Sequence, residues 1–295
     1  MAGQSVTIDS SRHVTTPGIR FTDSTLDFNV RASRGGPHAI VLPQGSDLQE
    51  VTVAGSTMPL RLEGSKLTLG LKPGLQAIHV RWREPRGIGA FFSPSKCDLG
   101  APSVNATSEL TLAPSSRWVL FVSGPRLGPA VLFWSTMLVL LLVAIALSRV
   151  RVVPLRAYEW LLIAVGLSQT SIVEAAIFAG FLVVLGLRGR RTEVGPWWAQ
   201  NLLLLTLVVW AMGVIGVLGS AIHQGLLGVP DMQVRGNGSS AYDLLWYQDR
   251  LSGETLTPSV VSVPMLAYRV VMLLWALWMA TTVVRLARFA WQSVS

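Results

Sequence analysis

The sequence predicts two domains: an N-terminal antiparallel β-sandwich over residues 1–126, and a helical membrane domain of about five helices over residues 127–295. Of the 295 residues, 51% are apolar and only 14% are charged, a balance that soluble domains rarely show. The hydropathy pattern also changes near residue 127, from alternation to unbroken apolar runs. Alternation with period two is typical of strands with one buried face, and long apolar runs are typical of membrane helices.

The N-terminal part alternates in several short runs that turn clusters separate, and no long helix is predicted before residue 127. Clusters such as Lys72-Pro73-Gly74 are typical of the turns between antiparallel strands. The pattern predicts roughly nine strands, a number that suits a sandwich of about 100 to 120 residues. The clearest alternating runs are Leu26, Phe28 and Val30; Met58, Leu60 and Leu62; Leu67, Leu69 and Leu71; and Ile78, Val80 and Trp82.

The C-terminal part is predicted to contain three full-length membrane spans and a short helical hairpin. A helix of twenty residues spans about 30 Å, the thickness of the hydrocarbon layer. The two hairpin helices are shorter, so the pattern leaves open whether the hairpin crosses, tilts or lies at the interface. Ser171 and Glu174 form a capping-box pattern that begins the second hairpin helix. The predicted helices cover residues 129–148, 157–168, 172–187, 197–220 and 264–284.

Arginines predict the orientation of these helices. The formal charge is +8, but the arginines of the helical part follow individual helices rather than forming a nucleic-acid footprint, so no nucleic-acid partner is predicted. By the positive-inside rule their side is cytoplasmic. The β-domain and a long loop at 229–262 are then extracytoplasmic, and the C-terminus is cytoplasmic. The arginines after the helices are Arg149, Arg151, Arg156, Arg188, Arg190, Arg191, Arg285 and Arg288.

The first residues after Met1 carry no basic start, apolar core or cleavage site of an export signal. An exported β-domain without such a signal leaves two interpretations. Either the β-domain is cytoplasmic, against the arginine pattern, or the chain is the C-terminal part of a longer exported protein. We expect the second.

Several segments resemble the C-terminal part of large uncharacterised bacterial envelope membrane proteins. The resemblance covers most of the chain and implies a multi-pass protein of the bacterial inner membrane with a periplasmic N-terminal domain. Members of this group extend further at the amino end and imply no catalytic residues. The segments are Val80-Arg-Trp-Arg-Glu-Pro85, residues 160–169, Gly236-Asn-Gly-Ser-Ser-Ala-Tyr242, Leu245-Trp-Tyr-Gln-Asp-Arg250, Ser262-Val-Pro264 with Tyr268-Arg269, and Leu274-Trp-Ala-Leu-Trp278.

Motifs of common enzymes are missing from the sequence: it has no Gly-x-Ser-x-Gly elbow, phosphate-binding glycine loop or His-Glu-x-x-His. The single cysteine, Cys97, excludes an internal disulfide and a multi-cysteine zinc site, and the four histidines are far apart in the sequence. We therefore predict no catalytic, metal or cofactor-binding residue and no cofactor.

The loop at 229–262 gathers polar and aromatic residues that are typical of glycan-binding or protein-binding surfaces. The same mixture is typical of an aromatic belt at a membrane surface, and the sequence leaves both interpretations open. Its candidate binding residues are Arg235, Asn237, Tyr242, Asp243, Trp246, Tyr247, Asp249 and Arg250.

Two polar residues fall within the predicted membrane part, Gln169 and Glu174. An ionisable residue in a membrane segment is a functional candidate, and Glu174 has either a capping role or a role in moving a proton or ligand.

The function that these patterns favour is an envelope interaction or anchoring module, with the lipid bilayer and an envelope protein or glycan as partners. Two other classes stay open: a component of a small-molecule or ion transporter, and a membrane enzyme acting on envelope glycan or lipid. The enzyme is not favoured, because linear spacing does not fix the separation of any pair of carboxylates.

Overall fold

The computed structural model describes residues 6–149, 153–168, 170–189 and 196–294. The chain forms two compact units. One, called the β unit below, contains the residues up to Leu132 and the segment Met232–Met265. The other, the helical unit, contains Phe133–Asp231 and the residues from Leu266 onward. The chain therefore passes between the two units three times.

This division differs from the predicted one, because most of the predicted outer loop at 229–262 belongs to the β unit. The loop contains three strands that pair with strands of the N-terminal part. Its longest strand alternates, with Leu244 and Trp246 buried and their neighbours outward. The predicted boundary after residue 126 also lies a few residues too early.

The strands of the β unit are β1 (Val6–Pro17), β2 (Thr22–Ala32), β3 (Gly36–Val41), β4 (Asp47–Val53), β5 (Ser56–Thr57), β6 (Lys66–Leu71), β7 (Gly74–Glu84), β8 (Phe91–Phe92), β9 (Ser103–Thr111), β10 (Arg117–Ser123), β11 (Ala130–Val131), β12 (Val234–Arg235), β13 (Asp243–Leu251) and β14 (Ser259–Pro264).

Half of these fourteen strands form a seven-stranded sheet in the order β13-β9-β1-β2-β7-β4-β5. A three-stranded sheet has the order β10-β14-β8, and two-stranded sheets join β11 to β12 and β3 to β6. The predicted antiparallel arrangement is wrong for one pair, since β1 and β9 run parallel. These strands are separated by most of the β unit's sequence, so no hairpin constrains their direction.

The core of the β unit follows the predicted alternation. Every apolar residue of the runs at 26–30, 67–71 and 78–82 is buried, including Trp82 at 0% exposure. The run at 58–62 is the exception, because it has no strand beyond Thr57. Leu60 and Leu62 instead pack against the core from irregular chain.

All five predicted helices are present, as α1 (Phe133–Arg149), α2 (Ala157–Leu167), α3 (Ile172–Arg188), α4 (Trp197–Leu226) and α5 (Met265–Val294). By length and composition, α4 and α5 are long and apolar enough to cross a membrane, whereas α1 and α2 are shorter apolar helices. The first helix begins four residues later than predicted because Ala130–Val131 pairs with β12.

The capping box predicted at the start of α3 is present. Ser171 Oγ accepts a hydrogen bond from the Glu174 amide at 3.2 Å, and Glu174 Oε2 accepts one from the Ser171 amide at 2.8 Å. These bonds satisfy amides that the first turn of a helix leaves without partners. The other predicted polar residue, Gln169, lies outside the described residues.

Helices α2 and α5 are joined by two polar contacts that the sequence analysis did not predict. Trp275 Nε1 donates to the Leu162 carbonyl at 2.8 Å, and its ring occupies the space that a side chain at Gly166 would need. Glu159, with its side chain 3% exposed, pairs with Arg285 at 2.6 Å. Its other oxygen accepts from the Arg156 amide at 2.8 Å, so the buried carboxylate has partners on both oxygens.

Candidate functional site

The candidate binding residues predicted for the outer loop do not share one surface. Strand β13 alternates, so Trp246 points into the β unit while its neighbour Tyr247 lies on the opposite face of the sheet. Asp249 and Arg250 are exposed towards the end of that strand.

Trp246 is 1% exposed and lies against two glycines. A Cβ atom at Gly128 would lie 2.5 Å from Trp246 Cδ1, and one at Gly124 would lie 3.0 Å from the same atom. Trp246 is one of the predicted binding residues, but its ring is covered by its own chain and is not available to a partner.

Polar residues in the turn before β13 form hydrogen bonds within the turn and to the start of β13. Asn237 has a positive φ of 48° and donates from its amide group to the Leu245 carbonyl at 2.9 Å. Asp243 donates its backbone amide to Ser240 Oγ at 3.1 Å. Tyr242 is half-buried, and Arg235 is exposed on β12. These bonds explain the turn residues as local structure.

A different set of polar residues is brought together on the outward face of the seven-stranded sheet. Pairing between neighbouring strands aligns six residues in one transverse row, which we call the polar row. It runs from β13 through β9, β1, β2 and β7 to β4. The polar row consists of Tyr247, Thr107, Arg12, Asp27, His79 and Thr52, in that order.

An open groove of about 560 Å³ lies along the polar row. Its volume falls within the range of about 300 to 1,000 Å³ that small-molecule sites occupy. Gly55 and Ala77 line the groove and contribute little side-chain bulk, so neighbouring strands leave a depression there. The other lining residues include Ser10, Arg12, Asp27, Asn29, Thr52, His79, Asn105 and Thr107.

The charged side chains of the groove pair with side chains on neighbouring strands of the sheet. Arg12 donates through Nη2 to Glu109 Oε2 at 2.6 Å, and this hydrogen bond raises the pKa of the Arg12 guanidinium. His79 Nδ1 and Asp27 Oδ1 are 2.6 Å apart, with both side chains partly exposed. Cross-strand pairs of this kind fix side-chain directions more than they contribute stability.

Neutral donors and acceptors lie in the groove and, at Tyr247, beside it at one end of the polar row. Asn29 donates to Ser10 Oγ at 3.0 Å, and Tyr247 Oη donates to Asn105 Oδ1 at 3.0 Å. The pKa of Tyr247 is raised, mainly by its hydrogen bond to Asp249. The groove therefore presents amide, hydroxyl, imidazole and carboxylate groups, several of which are oriented by hydrogen bonds to neighbouring side chains.

Sequence reasoning missed this groove because its lining residues come from five strands and from the turn at Gly55. The alternation around Arg12, Asp27 and His79 indicates that each lies on the outward face of its own strand. It does not give the register between strands, and the parallel pairing of β1 with β9 has no local signal. Tyr247 is the one predicted binding residue that the structure brings into this row.

The described residues contain no group of three or more His, Cys, Asp or Glu side chains arranged to hold a metal ion. Cys97 is buried, and burial raises the pKa of its thiol to about 12. The thiol is therefore protonated at neutral pH and unsuited to nucleophilic chemistry or metal binding.

The chain has only weak similarity to solved structures. No protein-family model matches the chain, and no curated protein matches it. Among solved structures, an M1 zinc metallopeptidase from Deinococcus radiodurans matches 41% of this chain at 12% identity and a TM-score of 0.32. A mutant of that enzyme bound to a Tyr-Ser-Ala substrate, and a two-domain M1 zinc metallopeptidase mutant bound to L-tryptophan, match with the same coverage, identity and score. The matched parts span only 35% to 36% of those chains, and a similarity at this level supports no conclusion about function.

Proposed function

We propose that the protein is a membrane-anchored bacterial envelope protein whose β unit is an extracytoplasmic β-sandwich that binds a glycan in the groove along the polar row. The observation that carries the proposal is the alignment of six polar side chains from six strands beside an open groove. A rigid sheet holds these side chains in place, which reduces the entropy cost of binding.

The chemistry of the groove fits hydroxyl-rich ligands. Sugar hydroxyls both donate and accept, and the groove offers acceptors at Asp27 together with groups of both kinds at Asn29, Thr52 and Thr107. Because Arg12 and Asp27 already have partners within the face, the groove has little unpaired charge to attract a simple ion. Tyr247 at one end of the row supplies an aromatic ring that can pack against a sugar.

The membrane arrangement is supported by how the chain connects. The β unit ends where α1 begins, and its second segment, Met232–Met265, lies between α4 and α5. If α4 and α5 cross the bilayer, their ends next to the β unit share one side. Arg149, Arg188 and Arg288 lie towards the opposite helix ends, which the positive-inside rule assigns to the cytoplasm. The β unit would then face the periplasm of an inner-membrane protein.

The enzyme alternative has one favourable observation, the Asp27–His79 pair, which resembles the base and orienting acid of many hydrolytic sites. Within the described chain, no serine, threonine or cysteine side chain is hydrogen-bonded to His79. The pair therefore lacks the nucleophile that would complete such a site, and binding is the function we favour.

Co-sedimentation with purified peptidoglycan sacculi tests the glycan proposal. The full chain in detergent should sediment with sacculi, and Tyr247→Ala and Asp27→Asn should each weaken binding by about fivefold to a hundredfold, equivalent to about 1 to 3 kcal/mol. Arg83→Gln is the matched control, because Arg83 pairs with Asp23 outside the groove-lining set. Equal binding by all variants, or equal loss in the control, would contradict the groove assignment.

Cysteine labelling tests the orientation. Cys97 is unsuitable as a reporter because its thiol is buried, so it is replaced by alanine. Ile19, at 92% exposure in the β unit, and Arg288 on α5 then serve as separate cysteine sites. An impermeant maleimide added to cells with a permeabilised outer membrane should label Ile19→Cys and not Arg288→Cys. The reverse pattern would place the β unit in the cytoplasm.

A further inference from the structure

The helical unit contains an apolar groove of about 380 Å³ between α3, α4 and α5. Every residue that lines it is apolar, and they include Phe181 and Leu185 on α3, Leu207 and Ala211 on α4, and Leu286 and Trp291 on α5. The groove is open along one side, and Trp291 is 77% exposed. Its volume is comparable with that of a small-ligand site, of about 300 to 1,000 Å³.

A charged side chain lies one helical turn beyond the end of this groove. Arg188 follows Leu185 by three residues, so the two lie on neighbouring positions of the same α3 face. The Arg188 Nε atom is buried and has no hydrogen-bond partner among the described residues. A buried cationic donor without a partner is costly, and such a group is normally satisfied by an anion or a water molecule.

We propose that the groove holds an acyl chain of an anionic phospholipid and that Arg188 binds the phosphate of the same lipid. The proposal rests on the membrane location proposed above. The apolar groove supplies a cavity for the chain, and the guanidinium supplies the planar donors that bind phosphate oxygens well. A lipid joins these two chemistries in one molecule, with the phosphate at the end of the apolar chain.

The charge around the groove favours a lipid over a second copy of the chain. Arg188 lies at the last turn of α3, and Arg288 lies on α5 next to the lining residue Ala287. A second copy would bring the same basic residues to the same end of the groove, where like charges repel. Arg285 is occupied by Glu159, which leaves Arg188 as the cation whose Nε lacks a partner among the described residues.

Native mass spectrometry of the full chain in detergent, titrated with phosphatidylglycerol or phosphatidylcholine, tests the proposal. The protein should retain one phosphatidylglycerol molecule more tightly than phosphatidylcholine. Arg188→Gln should weaken phosphatidylglycerol binding by about tenfold, the loss expected for one hydrogen bond to a charged group. Ala211→Phe, which fills the groove, should weaken both lipids. Arg149→Gln is the matched control, since it removes an exposed arginine from α1, which does not line the groove.

The outcomes separate this proposal from the proposed function. If Arg188→Gln and Arg149→Gln lose the same affinity, binding is diffuse and the site is wrong. A native mass of two chains that Ala211→Phe reduces to one would show that the groove is a dimer interface. Carbonate extraction tests membrane integration separately, because a chain that stays in the membrane without binding lipid through Arg188 overturns only the lipid site. Arg188→Lys, which keeps the charge, checks that any loss does not come from misfolding.

Discussion

Two rows of side chains cross six strands of the seven-stranded sheet. The rows are offset by one residue on each of these strands, so their side chains lie on opposite faces. The outward one is the polar row, and its side chains form pairs such as Arg12 with Glu109 and Asp27 with His79. The inward one, called the inner row below, contains buried side chains, two of which carry polar atoms without partners among the described residues. The inner row consists of Trp246, Ser108, His13, Leu26, Val80 and Val51.

The difference predicts which face of this sheet stabilises the fold and which face is available for the proposed binding. On the outward face water screens each charge, so a lost pair costs little and the side chains are available to a ligand. On the inward face, His13 Nδ1 and Ser108 Oγ are buried without a partner among the described residues, and the ring of His13 stacks on Trp82 at 5.5 Å between centroids. Changes in the inner row should therefore alter folding, whereas changes in the polar row should alter binding.

The largest effect is expected for Trp246→Ala in the inner row. Removing a buried indole leaves a cavity that Gly124 and Gly128 cannot fill, so the free energy of unfolding should fall by about 3 to 5 kcal/mol. Thermal unfolding of the full chain in detergent measures the loss. Tyr247→Ala, one residue along the same strand, is the control and should cost much less stability while weakening sacculus binding. Equal destabilisation by the two variants would erase the distinction between the faces.

The next effect is a loss of stability in acid through His13. Burial lowers the pKa of His13 to about 4, whereas an unfolded histidine has a pKa of about 6.5. Below pH 6.5 the unfolded chain therefore binds more protons than the folded chain, so stability falls as the pH falls, and it keeps falling until about pH 4. The full difference corresponds to about 3 kcal/mol.

Unfolding of wild type and His13→Leu between pH 7 and pH 4 measures this contribution. The variant should lose most of the slope in that window. Asp23, whose pKa is lowered by its hydrogen bond to Arg83, loses its contribution mainly below about pH 5 and therefore affects only the acid end of this window. An unchanged slope in His13→Leu would assign the acid sensitivity to other groups.

The sequence predicted the inner row far better than the polar row, for a physical reason. Burial of one face is visible in the sequence of each strand, because buried apolar residues such as Leu26 and Val80 alternate with outward-facing residues. The polar row is defined by register between strands, which depends on long-range pairing. The strand at 243–251 was missed because its flanking turn and aromatic residues also fit a membrane-surface loop. Likewise, the pairing of Glu159 with Arg285 joins helices separated by more than a hundred residues.

A smaller effect of opposite sign is expected for Ser108→Ala. Ser108 is fully buried, and its hydroxyl lacks a partner among the described residues, so its removal should raise the free energy of unfolding by up to about 1 kcal/mol. Ser262→Ala is the matched control, because Ser262 is equally buried but accepts a hydrogen bond from Arg117 Nε at 2.8 Å. That variant should be destabilised. A loss in Ser108→Ala would indicate a buried water or other partner on the hydroxyl.

The smallest effect on stability is expected for the Arg12–Glu109 pair in the polar row. The Arg12 side chain is 57% exposed and that of Glu109 is 18% exposed, so solvent screens much of their attraction. A double-mutant cycle with Arg12→Ala and Glu109→Ala should give a coupling of about 0.2 to 1 kcal/mol that decreases in high salt. Sacculus binding should respond differently, because Arg12 lines the groove and Glu109 is absent from its lining. Arg12→Ala should therefore weaken binding more than Glu109→Ala, although both variants remove the same ion pair. A coupling well above 2 kcal/mol would mean that the outward face also stabilises the fold, and the contrast between the two rows would then fail.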